Sequence, residues 1–146
     1  MPERVFSDVV KYCKERRHPV ELFRINVSGE VENPTQLLTW FSVAIACPDT
    51  KFYMYTKNTA VLEKTLEYAG NIPANLAINI SQWDNTVENK FGLQEFIYDD
   101  GSDKSLENVF HCPAVGKGGE STGVKCSQCR RCTRRCDGQK TAVYAH

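Results

Sequence analysis

Lys51-Phe52-Tyr53-Met54-Tyr55-Thr56-Lys57, then the run from Asn58 to Gly70, then Leu76-Ala77-Ile78-Asn79-Ile80-Ser81 decide the fold. In the first and last of these, apolar side chains alternate with polar or aromatic ones, the period of a strand whose successive residues face opposite ways. Between them Asn58 is placed to cap a helix, Gly70 to close it, and Val61, Leu62, Leu66 and Ala69 to form its inward stripe. Working outward, Val20 to Ser28 alternates in the same way, and Asn33-Pro34 opens a helix with Leu37, Leu38, Phe41, Ala44 and Ile45 inward. Further upstream, residues 3–17 set Phe6, Val9, Val10 and Cys13 on one helical stripe, ended by His18 and Pro19. Strand, helix, strand, helix, strand implies right-handed crossovers and a parallel sheet. The expected fold is α/β, a small parallel sheet of βαβαβ units resembling part of a TIM barrel, since three strands cannot close one.

The alternation also separates the two faces. A parallel sheet covered by helices on both sides is apolar on both sides, whereas these strands are apolar on one. Helices should cover Phe23, Ile25, Val27, Phe52, Met54, Leu76, Ile78 and Ile80. The opposite face, with Arg24, Asn26, Ser28, Tyr53, Tyr55, Asn79, Ser81 and Trp83, then reads as a polar cleft. Glu30 and Lys57 follow strands, and loops at the carboxyl ends of parallel strands are where α/β proteins hold ligands. The candidates for ligand contact are therefore Arg24, Asn26, Glu30, Tyr55, Lys57 and Ser81. The plainer alternative is a face that is solvated, or buried against the C-terminal segment or a second subunit. Beyond Trp83 the sequence predicts a short helix over 84–91, a strand over 93–98, a turn at 99–103 and a glycine-rich loop over 113–125. That loop lacks the Walker spacing and is assigned no nucleotide.

Five of the seven cysteines fall in the last thirty-five residues, and the run Cys126-Ser-Gln-Cys129-Arg-Arg-Cys132 repeats a two-residue spacer. Such spacing lets three thiolates of one loop reach three corners of a 4Fe-4S cubane. For the fourth corner Cys112, between His111 and Pro113, is preferred to Cys136, which completes a ferredoxin-like spacing but is followed by Asp137 instead of proline. Zinc is the rival, because four thiolates bind it tightly, yet ribbon pairs are separated by a long loop and here three cysteines are consecutive. Cys13 and Cys47 lie on or beside apolar stripes and read as packed thiols.

At 146 residues the chain suits a single domain, an α/β body over 1–105 with a cluster-binding module over 106–146. It shows neither an apolar run long enough for a membrane span nor an export leader, so a cytoplasmic protein is expected, and an odd, crowded set of cysteines argues against a disulfide framework. Net charge is zero, but residues 112–146 hold seven Lys/Arg against two acids and residues 1–111 hold eleven against sixteen. Arg130, Arg131, Arg134 and Arg135 would offset the residual charge of a thiolate-bound cluster. A second reading makes them a basic surface for nucleic acid or a host protein.

These residues give the chain a resemblance to the bacteriophage "gene product 88" family. Phe23-Arg24-Ile25-Asn26-Val27-Ser28-Gly29-Glu30 resembles that family's Phe-Arg-Ile-His-x-Ser-Gly-Asp, with Asn26 in place of histidine and Glu30 in place of aspartate. Phe52-Tyr53-Met54-Tyr55-Thr56-Lys57 is similar to its Phe-Tyr-x-Tyr-Thr-Lys, and Cys112-Pro113 with Cys126, Cys129 and Cys132 to its cysteine module. The resemblance implies a partial barrel with a cluster, of phage origin, and supplies no reaction. Ser28-Gly29-Glu30 after a strand is also similar to the glycine–glutamate element of radical S-adenosylmethionine enzymes, but their three-then-two cysteine spacing is absent. A radical or redox enzyme is accordingly an alternative to a binding protein.

Overall fold

Phe52 pairs with Leu76, Met54 with Ile78 and Thr56 with Ile80, so the two most strongly alternating stretches lie side by side, parallel and in step. The structure, a computed structural model, describes residues 2–15, 20–26, 30–84, 86–135 and 137–145. Its elements run α1 (Pro2–Lys14), β1 (Leu22–Arg24), α2 (Pro34–Ala46), β2 (Lys51–Thr56), α3 (Thr59–Ala69), β3 (Leu76–Gln82), β4 (Gln94–Asp99), a 3-10 turn (Lys104–Leu106), β5 (Phe110–His111), α4 (Cys126–Cys129) and β6 (Lys140–Tyr144). They build an α/β fold on one six-stranded sheet in the order β1-β2-β3-β4-β6-β5, with every pairing parallel.

The caps are as expected. The Asn33 side chain accepts from the Gln36 amide at 3.0 Å with Pro34 in the first turn, and the Asn58 side chain accepts from the Val61 amide at 3.3 Å. Gly70 closes α3 at φ 76°, a backbone angle that costs glycine nothing. The three longer helices lie over one sheet face, where Phe52, Met54, Leu76, Ile78 and Ile80 share a core with Leu37, Phe41, Val43 and Leu62.

Several expectations need correction. The sequence reading found no strand after residue 98, yet β5 and β6 complete the sheet, β6 lying between β4 and β5. Residues 84–91 form no helix among those described. There the Gln82 side chain bonds Val87 in both directions, at 2.6 and 3.1 Å, and Asn89 does the same for Leu93, at 2.7 and 2.8 Å. Side-chain amides that satisfy the backbone locally displace the helical bonds. The first strand ends at Arg24, because Asn26 turns to a left-handed φ of 51°. Val27, Ser28, Gly29, His18, Pro19 and Cys136 lie outside the described residues. On α2 the inward position is Val43, fully buried, while Ile45 is 70% exposed, because α2 packs between the sheet, α1 and α3. Ala69 is exposed at the end of α3, and Phe6 is only partly covered at the start of α1. No described helix is long and apolar enough to cross a membrane.

Candidate functional site

The second sheet face is formed where strand alternation directs Arg24, Tyr53, Tyr55, Asn79, Ser81, Gln94 and Phe96 away from the helices. Residues 112–135 lie across it. Cys112 leaves the end of β5 and is tied to β6 by its amide, 2.6 Å from the Ala142 carbonyl. Cys126 and Cys129 begin and end the single turn of α4, and Arg130 reverses the chain at φ 59° to bring Cys132 round. The Thr133 hydroxyl, 2.7 Å from the Arg130 carbonyl, holds that reversal. Together Cys112, Cys126, Cys129 and Cys132 border one cavity with Tyr55 at its floor.

The seat of this loop is polar and buried. Asn79, 1% exposed, donates to the carbonyls of Met54 at 3.2 Å and Cys132 at 3.1 Å. Gln94 donates to Cys132 at 3.3 Å and to the Asn79 carbonyl oxygen at 3.0 Å. Part of the expected polar cleft is thus the floor under the cysteine loop, the plainer of the two sequence readings.

All six described cysteines are free thiols. Burial pushes the Cys132 thiol up to about 11, against a hydrogen bond from Tyr55 that pulls the other way, and burial likewise raises Cys112. Burial raises Tyr53 to about 12, with Cys126 adding to it, and raises Tyr55 further still, with Cys132 adding to it. Tyr55 lines the cavity beside the four cysteines, and the charges of Cys126 and Cys132 add to burial in raising both phenols. Four soft thiols suit iron–sulfur or zinc, and they must give up protons to bind either. Among the described residues no group of three or more His, Cys, Asp or Glu side chains is arranged to hold a metal ion.

The arginines turn inward more than their charge implied. Arg130 meets Glu21 at 2.9 Å. Arg131 donates to Thr141 and to the Lys140 carbonyl, at 2.9 and 3.0 Å, and lies 4.3 Å over the Phe110 ring. Arg135 donates to the carbonyls of Ile72 and Pro73. Arg130 and Arg135 thus fasten the module to the body and Arg131 braces it on β5 and β6, leaving Arg134 exposed.

Beside the thiols a cleft of about 350 Å³ opens at the carboxyl half of the strands. Of the ligand candidates it gathers Arg24, Tyr55 and Ser81, and it shares Tyr55, Cys112 and Cys126 with the cysteine cavity. It is aromatic where a polar lining was expected. Trp83 stacks on Tyr98 at 5.0 Å and Phe96 meets Tyr55 edge-on at 5.1 Å. Sequence reading missed Phe96 and Tyr98, although the alternation of Gln94–Asp99 carries both. Lys57 lies 4.6 Å from the Trp83 ring, outside the lining. Glu30 also lies apart, its carboxylate accepting from the Thr56 hydroxyl and from the amides of Lys57, at 2.9 Å, and Val31, at 3.2 Å. Asn26 is an exposed turn residue. On the helix side of the sheet, His111 bonds Asp99 at 2.8 Å and stacks on Tyr144 at 4.1 Å, in an acidic pocket the sequence did not disclose.

The family model "Gene product 88" matches residues 3–135. The Gene 88 protein of Mycobacterium phage L5 is 27% identical over 156 residues, covering 95% of this chain and 60% of that protein, so the chain spans about three-fifths of the relative's length. No solved structure matches.

Proposed function

The chain belongs to the gene product 88 family, and from that premise we propose that it is a phage-encoded protein holding one 4Fe-4S cluster on Cys112, Cys126, Cys129 and Cys132, beside a ligand cleft. The observation that carries this is four thiols around one cavity, with Tyr55 beside them. When bound, such a cluster, with a thiolate on each of its four irons, would supply one-electron chemistry. The chain's own part is to seat the loop through Asn79 and Gln94, to keep Tyr53 and Tyr55 as donors, and to leave the cleft open next to Cys112 and Cys126. In this reading the sheet curves as a partial barrel around the module, and the protein works in the host cytoplasm. Whether the cleft serves a redox or radical reaction or binding alone is a further step.

Zinc on the same thiols is the competing reading. It needs every sulfur at about 2.3 Å from one centre, a tighter gathering than separate cubane corners. A nucleic-acid or host-protein surface on the arginine loop is less favoured, because Arg130, Arg131 and Arg135 are engaged within the chain. Iron, zinc and acid-labile sulfide analysis of protein purified without oxygen decides the first question. About four iron and four sulfide per chain are expected, lost in Cys112→Ala and Cys132→Ala; zinc without sulfide would overturn the cluster.

A further inference from the structure

We infer that the aromatic cleft beside the thiols is a mononucleotide site, taking the base against its rings and the phosphate at Arg24. This rests on the reading of the cleft as a ligand site and names the class of ligand. Its volume, about 350 Å³, lies within the roughly 300–1,000 Å³ of small-molecule sites. It opens at the carboxyl ends of parallel strands, where the α/β architecture leaves side chains free to meet a ligand.

The lining selects among ligands. Tyr55, Phe96, Tyr98 and Trp83 are four aromatic rings on one wall, and Trp83 remains 58% exposed although it is stacked on Tyr98. A soluble protein leaves little reason for such a surface unless a flat partner covers it. Arg24 is the single ionised side chain of the lining; it lies 4.9 Å over the Tyr55 ring and has no acidic partner among the described residues. Lys57, 4.6 Å from the centre of the Trp83 ring, adds a second positive charge. The Ser81 hydroxyl supplies a polar group that would read the edge of a ring. Flat faces with a guanidinium at the rim match a heterocycle that carries a phosphate, and the charges of Arg24 and Lys57 disfavour a cation. The acidic pocket around Asp99, by contrast, would repel it.

Calorimetric titration of the full chain, with iron and sulfide measured on the same sample, tests this. The probes are adenosine and guanosine 5′-monophosphates, the two nucleosides, ribose 5-phosphate and a short single-stranded oligonucleotide. At least one monophosphate should bind one to one, with its nucleoside and ribose 5-phosphate each about tenfold weaker or more. Trp83→Leu and Arg24→Gln should each weaken it about tenfold, with Tyr68→Ala, a change on an exposed ring of α3, as the unchanged control; circular dichroism verifies that all three fold. No binding by the wild-type chain, equal binding by wild type and both cleft variants, or binding of the oligonucleotide alone would overturn the proposal. Nucleotide binding to a sample without iron and sulfide would sink the cluster and leave this site standing. A loaded sample that ignores nucleotides would do the reverse.

Discussion

The two faces of the sheet are stabilised differently. On the helix side Phe23, Phe52, Met54, Leu76, Ile78 and Ile80 pack against helices that satisfy their own backbone bonds, so apolar contact is enough. On the other side the cover is residues 112–135, a segment with one four-residue helix and many carbonyls free to be paired. Irregular backbone near a protein interior must find partners, and here Asn79 and Gln94 bond the Cys132 carbonyl and Gln139 the Arg131 carbonyl. The first face supplies stability, and the second spends polar contacts on holding thiols in place.

The largest expected effect falls on the first face. Phe52→Ala removes a fully buried ring and should cost about 3–5 kcal/mol, read as a lower urea midpoint; a change under 1 kcal/mol would break the contrast. On the second face Asn79→Ala leaves the Cys132 carbonyl short of a donor and should cost about 1–3 kcal/mol. It should also raise the alkylation rate of Cys132 well above that of the parent, which Phe52→Leu should not do. Arg131→Ala removes contacts to the Lys140 carbonyl, Thr141 and Phe110, worth about 1 kcal/mol, and should loosen the module as judged by proteolysis within 113–125. At the small end, Ile45→Lys on the exposed side of α2 should stay within about 0.5 kcal/mol.

A pH series sharpens the same contrast. Burial raises the Cys13 and Cys47 thiols above their ordinary 9.0, with mutual contact between them. A thiol whose folded value is raised contributes stability that is whole below its unfolded value and is lost as pH rises through the folded one. The urea midpoint should hold from pH 6 to 8 and fall above about pH 9, less steeply in a Cys13→Ala, Cys47→Ala double variant. An equal fall in the double variant would assign the effect wholly to the thiols and phenols of the other face.

Strand alternation and helix caps made the first face readable residue by residue: Asn33, Pro34, Asn58 and Gly70 do what their chemistry favours, and the core lies on the side of the pattern that predicted it. Ile45 misled because a stripe shows which residues are apolar, not from how many sides a helix is covered. The cysteine spacing pointed to the four thiols that line one cavity. It did not show Phe96, Tyr98 or Val143 beside them, because β4 is short and β6 follows directly on a cysteine-rich turn, where Lys-Thr-Ala-Val-Tyr carries too little pattern to stand out.

By itself, then, the amino-acid order determined the α/β class, the parallel crossovers, the apolar face and the set of converging cysteines, since each depends on periods and spacers within about thirty residues. Tertiary structure alone decided that the polar face is a seat for the cysteine loop, that three arginines fasten instead of reaching outward, and that the open cleft is aromatic. Several of those outcomes join segments far apart in the chain, such as Asn79 with Cys132 and Glu21 with Arg130. No local pattern encodes such pairings, because they form only when the folded sheet brings both partners to one surface.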